Sequence, residues 1–323
     1  MIVPEFWAEA KERIRVAGET RTLKRFGWSD DSMAAAQEHA RERVHEAAEQ
    51  ARRGESVRRV DHKVTYGGAE GLPIREEIVE RHGDTVITRN PYGARCLNTP
   101  DVLFADVDAP AAGPVGLKIV FFAIILGAGA YYALLADTAW PFFLALIIAV
   151  LSASETAKLV TRIFSLGRDA HAAAYAGIET FANSHPECLL RVYRTPNGYR
   201  VLAMHDTFDP RTAETGRILA ALGTDPVYAI VSRGQNCFRA RLTAKPWRID
   251  VPRLKPTPGI WPVKPEHMDK RRRWVADYER KAGEFSACRY ETTLGSGRAD
   301  RRCRRVQELH DRECRADRDL PLA

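Results

Sequence analysis

The alternation of apolar and polar positions divides the chain into a long uncharged centre and two highly charged flanks. From Ile119 to Ala136 the sequence IVFFAIILGAGAYYALLA carries no charge, and from Thr138 to Ser154 the sequence TAWPFFLALIIAVLSAS carries none either. At about 1.5 Å per residue each run covers roughly 26 Å of a hydrocarbon core about 30 Å thick, which predicts two membrane-crossing helices turning at Asp137. Tyr131, Tyr132 and Trp140 stand close to that turn, where amphipathic rings favour an interface. Lys118 precedes the first run, and Lys158, Arg162 and Arg168 follow the second. Positive charge on that side orients both flanks towards the cytoplasm. The expectation is a multi-pass protein of a bacterial-type inner (cytoplasmic) membrane, with both termini cytoplasmic and the lipid bilayer as a partner.

The flanks show shorter periods. TRTLKRFGW (20 to 28) suits a strand, and Ser29 is placed to cap a helix running to about Arg53. REEIVER (75 to 81) and TVITRN (85 to 90), joined by His82, Gly83 and Asp84, read as a β-hairpin. DVLFADVD (101 to 108) is apolar on both faces, as a central strand is, with Asp106 and Asp108 at its exit. After the apolar centre, TAKLVTRIFSLGRDAHAAAYAGIETFANS is helical, and LLRVYRT (189 to 195) and YRVLAMH (199 to 205) are strands flanking a Pro-Asn-Gly turn. DPRTAETGRILAALG (209 to 223) is a capped helix. In NCFRARLTAK (236 to 245) strict period two puts Phe238, Ala240, Leu242 and Ala244 on one face.

With the apolar centre set aside, the order from residue 101 is βαββαβ, which predicts an α+β fold with a ferredoxin-like sheet. The predicted organisation is an N-terminal α/β region (1 to 100), a ferredoxin-like cytoplasmic domain (101 to 110 and 165 to 250), the two-helix transmembrane hairpin inserted in it (115 to 154), and a helical C-terminal region (251 to 323).

Composition changes this picture only in part. The 323 residues are 45% apolar, a soluble-looking average produced by a greasy centre and hydrophilic flanks, and the formal charge of +7 points to anionic partners: nucleotides, nucleic acid or lipid headgroups. The N-terminal segment lacks the apolar core and cleavage site of a secretory signal. Six scattered cysteines form no CxxC pair and have no His at zinc-ligand spacing, so they read as reduced structural thiols.

Asp106 and Asp108, two apart on a strand, project from one face with Cα atoms roughly 6 to 7 Å apart. Two carboxylates so placed can share Mg²⁺ or Mn²⁺, which would orient an in-line displacement on a phosphate ester. Arg194, Arg200, Arg239, Arg241, Lys245 and Arg248 cluster in or beside the later strands and would hold the anion. The competing expectation is that some of these arginines neutralise Asp106 and Asp108 across the sheet, in a non-catalytic module that binds an anionic ligand, nucleic acid or a protein partner at the membrane.

The aspartate pair ending the first strand, the Thr-Pro-Asn-Gly-Tyr-Arg turn and the later Ile249-Asp250 step together resemble the primase-polymerase superfamily of archaeo-eukaryotic type. The resemblance covers about 101 to 250 and implies a nucleotidyl-transfer site in which Asp250 completes the metal set with Asp106 and Asp108. Where that family carries a His in its second motif, this chain has Arg200. As a whole the chain also resembles uncharacterised bacterial membrane proteins with a central transmembrane hairpin. Outside this region, His310-Asp311 reads as a solvated helix pair, LGSGRAD (294 to 300) as a turn leading into a helix, and Lys270 to Trp274 as a solvated basic run.

Overall fold

The computed structural model describes residues 3–16, 18–61, 72–109, 115–149, 170–254 and 261–323. The chain is α+β and separates into two compact units, one made of Met1–Val107 with Glu179–Ala323, the other of Asp108–Ile178.

In the larger unit, β1 (Phe6–Val16) and β2 (Glu19–Ser29) form a long antiparallel hairpin covered by α1 (Met33–Arg52). Ser32 caps α1 by accepting the Ala35 N–H at 3.1 Å, three residues beyond the predicted cap at Ser29. The contact between α1 and β2 is backbone on backbone at Gly27, where a Cβ would overlap Ala36 and Ala40. The Ala-rich face of α1 carries Ala36, Ala40, Val44, Ala47 and Ala48 into a small core with Ile14 and Leu23.

Two four-stranded sheets follow. The first has the order β3 (Glu77–His82), β4 (Thr85–Arg89), β5 (Arg95–Thr99), β9 (Phe238–Arg241), all antiparallel. The second has the order β10 (Arg289–Leu294), β7 (Leu190–Thr195), β8 (Gly198–Ala203), β6 (Phe104–Asp108). Besides α1, the described helices of this unit are α3 (Ala170–Ser184, in part), α4 (Ala213–Ala221), α5 (Pro226–Gln235), α6 (Pro265–Ala282) and α7 (Arg301–Cys314), with a 3-10 turn at Pro246–Arg248.

The ferredoxin-like sheet is realised only in part. Strands β6, β8 and β7 lie in the expected order, but β9 leaves them and pairs with β5, Leu97 opposite Ala240, both fully buried. The sequence pattern assigns no strand to 95–99, so β5, which supplies a free ladder of backbone donors and acceptors, is missing from the prediction. One consequence is that β6 ends its sheet instead of lying at its centre.

The second unit contains the uncharged centre. Here α2 (Val115–Leu135) turns through Asp137, at φ 47°, into a helical stretch at 140–149. The two approach closely at Gly129, where a Cβ would overlap that of Ala145. Among the described residues no helix is long and apolar enough to cross a membrane, which overturns the predicted two-helix transmembrane hairpin and the multi-pass placement in an inner (cytoplasmic) membrane. The rest of the second apolar run, with Lys158, Arg162 and Arg168, lies outside the described residues.

Candidate metal centre

The last helix, α7, begins at Asp300, whose carboxylate accepts the N–H groups of Arg302 at 2.7 Å and Cys303 at 3.2 Å, an N-cap that satisfies two orphan donors. Its inward stripe is Cys303, Val306, Leu309, His310 and Cys314. His310 and Cys314 are four residues apart and therefore share a face. Cys288 comes from the approach to β10, held beside the end of α7 by the Ala287 N–H donating to the Cys314 carbonyl at 3.2 Å. All three side chains are fully buried, and one ligand atom from each lies within 4.8 Å of the others.

The geometry around the imidazole decides which nitrogen is free. Nδ1 of His310 lies 3.0 Å from Asp311 Oδ1, and that carboxylate also accepts from Tyr193 Oη at 2.5 Å, Gln307 Nε2 at 2.5 Å and Arg191 Nη2 at 2.8 Å. An ionised Asp311 so supplied accepts a hydrogen bond from Nδ1–H, so Nε2 is the nitrogen that faces the sulfurs, Cys314 Sγ at 3.4 Å and Cys288 Sγ at 3.8 Å. Burial works to raise the carboxyl of Asp311, but its hydrogen bond and charge interaction with His310 outweigh it and the group titrates below its ordinary range.

The third wall is Arg200. Its guanidinium is 2% exposed; Nε donates to Asp106 Oδ1 at 2.8 Å, and Nη1 donates to the Arg241 carbonyl at 2.8 Å and lies 3.4 Å from His310 Nε2. Burial opposes ionisation of the Cys288 thiol, yet the hydrogen bond from Cys314 and the positive charges of His310 and Arg200 bring it well below the usual thiol value. Cys314, buried and donating to that sulfur, is pushed well above it. The site therefore favours thiolate character at one sulfur; burial opposes protonation of His310, but that sulfur and Asp311 outweigh it and raise the imidazole above its ordinary value, so an ion that displaced the Nε2 proton would find the nitrogen and sulfur donors that soft divalent ions take.

The residues singled out in the sequence fall in three places. Asp106 is the partner of Arg200, Asp108 is exposed at the end of β6, and Asp250 is exposed on a turn at φ 57°. Among the described residues the group of metal-compatible side chains is Cys288, His310 and Cys314, and it includes none of the three aspartates. Arg239 is half-buried against Glu76, Nη2 to Oε2 at 2.5 Å, and the carbonyl of Arg241, on β9, accepts from Arg200 Nη1. Arg194, Lys245 and Arg248 are partly exposed, Arg194 beside Tyr199, Lys245 beside Trp247, and Arg248 donating to Asn197 Oδ1 at 2.8 Å.

His310-Asp311, expected to be solvated, is instead the centre of the buried network. The cue was the spacing His310-x-x-x-Cys314 within a helix whose remaining buried positions are Cys303, Val306 and Leu309: the pair lies on the apolar stripe, not opposite it. Cys288, 22 residues upstream of His310, offered no local cue. Lys270 to Trp274 also departs from expectation, since Arg271 is 3% exposed and ion-paired to Glu77 at 2.6 Å.

No family model matches the chain, and neither a curated protein nor a solved structure matches it.

Proposed function

We propose that this chain is a metal-stabilised binding module in which Cys288, His310 and Cys314 hold one thiophilic divalent ion, zinc(II) by the character of the donors. The observation that carries the reading is the convergence of three buried ligand atoms within 4.8 Å, with the far nitrogen of the imidazole already fixed on Asp311. Charge supports it as well. Asp106 balances Arg200, and Arg191 balances Asp311, so an ion of charge +2 that displaced the remaining thiol proton on binding would be balanced by two thiolates. Ligation would fasten the end of α7 to the segment entering β10, and the binding free energy would appear as folding free energy.

The burial of all three ligands favours a structural ion over a catalytic one, because a reacting group would need a path to it. The two readings of Asp106 are also weighted unequally. A hard ion at Asp106 would have to displace a buried guanidinium, whereas neutralisation of an arginine across the sheet is what the Arg200 pair embodies.

The test is the metal content of the full chain, purified in reductant without chelator, measured by elemental mass spectrometry beside the Cys314→Ser and His310→Ala variants. One zinc per chain in the parent, lost in both variants, supports the reading. A folded parent that carries no zinc, and whose unfolding midpoint does not move on adding zinc(II) or cobalt(II), overturns it.

A further inference from the structure

Away from the metal centre, the 3-10 turn after β9 presents a side chain the fold does not use. Trp247 is 43% exposed, although the residues on either side of the turn, Pro246 and Ile249, are buried. Its indole is held from one side by the ring of Tyr92, centroids 5.2 Å apart at 63°, an edge-on contact that fixes the orientation of the plane. The guanidinium of Arg253 lies 4.6 Å from the indole centroid and the ammonium of Lys245 5.7 Å. Arg248, on the same turn, bonds Asn197 at the tip of the β7–β8 turn at 2.8 Å, and Arg194 stands near the end of β7. The acid in the segment 245 to 254 is Asp250, against Lys245, Arg248 and Arg253.

We infer that this surface binds single-stranded nucleic acid, with a base stacked on Trp247 and phosphates met by Lys245, Arg248 and Arg253. A large exposed indole costs free energy unless something covers it, and a flat π-face ringed by cations is complementary to an unpaired base joined to anionic phosphodiester groups. Arg253, 4.6 Å from the indole centroid, holds a planar cation against the ring and beside any base stacked on it, within reach of the base's phosphate. A duplex does not satisfy the same chemistry, since its bases are stacked on each other and out of reach of a side chain on a turn. A polyanion without bases would use the cations and leave the indole uncovered. The excess of seven positive charges on the chain favours the encounter. This inference does not depend on the metal centre.

The experiment is fluorescence anisotropy of a labelled oligothymidylate with the full chain at low salt, set beside an abasic oligomer of equal length and charge. The variants are Trp247→Ala, Trp247→Phe and Arg253→Ala, each checked for an unchanged thermal midpoint. Base stacking is worth about 1 to 3 kcal/mol, so Trp247→Ala and the abasic probe should each weaken binding about 5- to 100-fold, with Phe restoring much of it. Arg253→Ala should weaken binding and flatten its salt dependence. Equal affinity for the two probes, wild-type affinity in Trp247→Ala, or no binding to the oligothymidylate would each overturn the inference.

Discussion

Arg200 and Asp106 form an ion pair across neighbouring strands, Nε to Oδ1 at 2.8 Å, in which the cation is 2% exposed and the carboxylate 36%. The carboxylate is first among the groups that offset the cost of burying the guanidinium, which remains charged. Replacing Asp106 by Asn is therefore expected to destabilise the fold by about 3 kcal/mol, the low end for a buried pair because water screens the partly exposed acid. Urea unfolding measures this. The double replacement Asp106→Leu with Arg200→Met should cost less than Asp106→Asn alone, since no unpaired charge is left behind.

Asp300 governs the start of the helix that carries His310 and Cys314. Its carboxylate caps two N–H groups, and Asp300→Ala should lower stability by about 1 kcal/mol, with Asp300→Asn milder. Hydrogen exchange checks the mechanism, because the loss should appear as faster exchange confined to the first turn of α7.

Gly27 is where the hairpin and α1 touch backbone to backbone. An alanine there has no room without moving the helix, so Gly27→Ala should cost about 1 to 3 kcal/mol despite the intrinsic preference of strands for any residue over glycine. Thermal denaturation of the variant would show a lowered midpoint, and an unchanged one would mean the helix can shift freely.

Tyr278 sets an alkaline limit. Its hydroxyl donates to the Ala244 carbonyl at 2.6 Å and contacts Thr243 Oγ1 at 2.8 Å, and burial, foremost, pushes its pKa up to about 12 from an ordinary 10.0. Since the folded value lies above the unfolded one, its contribution is fully present below about pH 10 and is lost as pH rises through about 12. Unfolding curves at pH 8 and pH 11 should therefore differ more in the parent than in Tyr278→Phe, which loses the hydrogen bonds at both pH values.

Withdrawal of the ion should act through the fold itself. With zinc(II) at 100 times its dissociation constant, loading contributes about 2.7 kcal/mol, so a chelator should lower the thermal midpoint of the parent and leave that of His310→Ala unmoved.

Local chemistry was legible where neighbours in sequence decide it. The β3–β4 and β7–β8 hairpins, the helices over 209–223, 265–283 and 299–316, and the period-two burial of Phe238, Ala240, Leu242 and Ala244 follow from turn residues and spacing that need no distant partner. The 11-residue β1 escaped notice because its charged residues conceal the alternation of Ala8, Ala10 and Ile14 inward. Apolar content alone misread the centre of the chain, where among the described residues no helix is long and apolar enough to cross a membrane.

The α+β character, most of the elements, and the presence of acids and bases able to pair are therefore legible in the order of residues alone. Which groups meet was decided by the tertiary structure. Strand β9 chose β5 because a ladder was open there, and Asp106 met Arg200 because β6 and β8 are neighbours. Cys288, His310 and Cys314 meet because the close of α7 returns beside Cys288, 26 residues before Cys314. Ligand geometry needs contact within a few ångströms between chain segments that the sequence keeps apart, and only folding, driven by burial of the surfaces between them, supplies it.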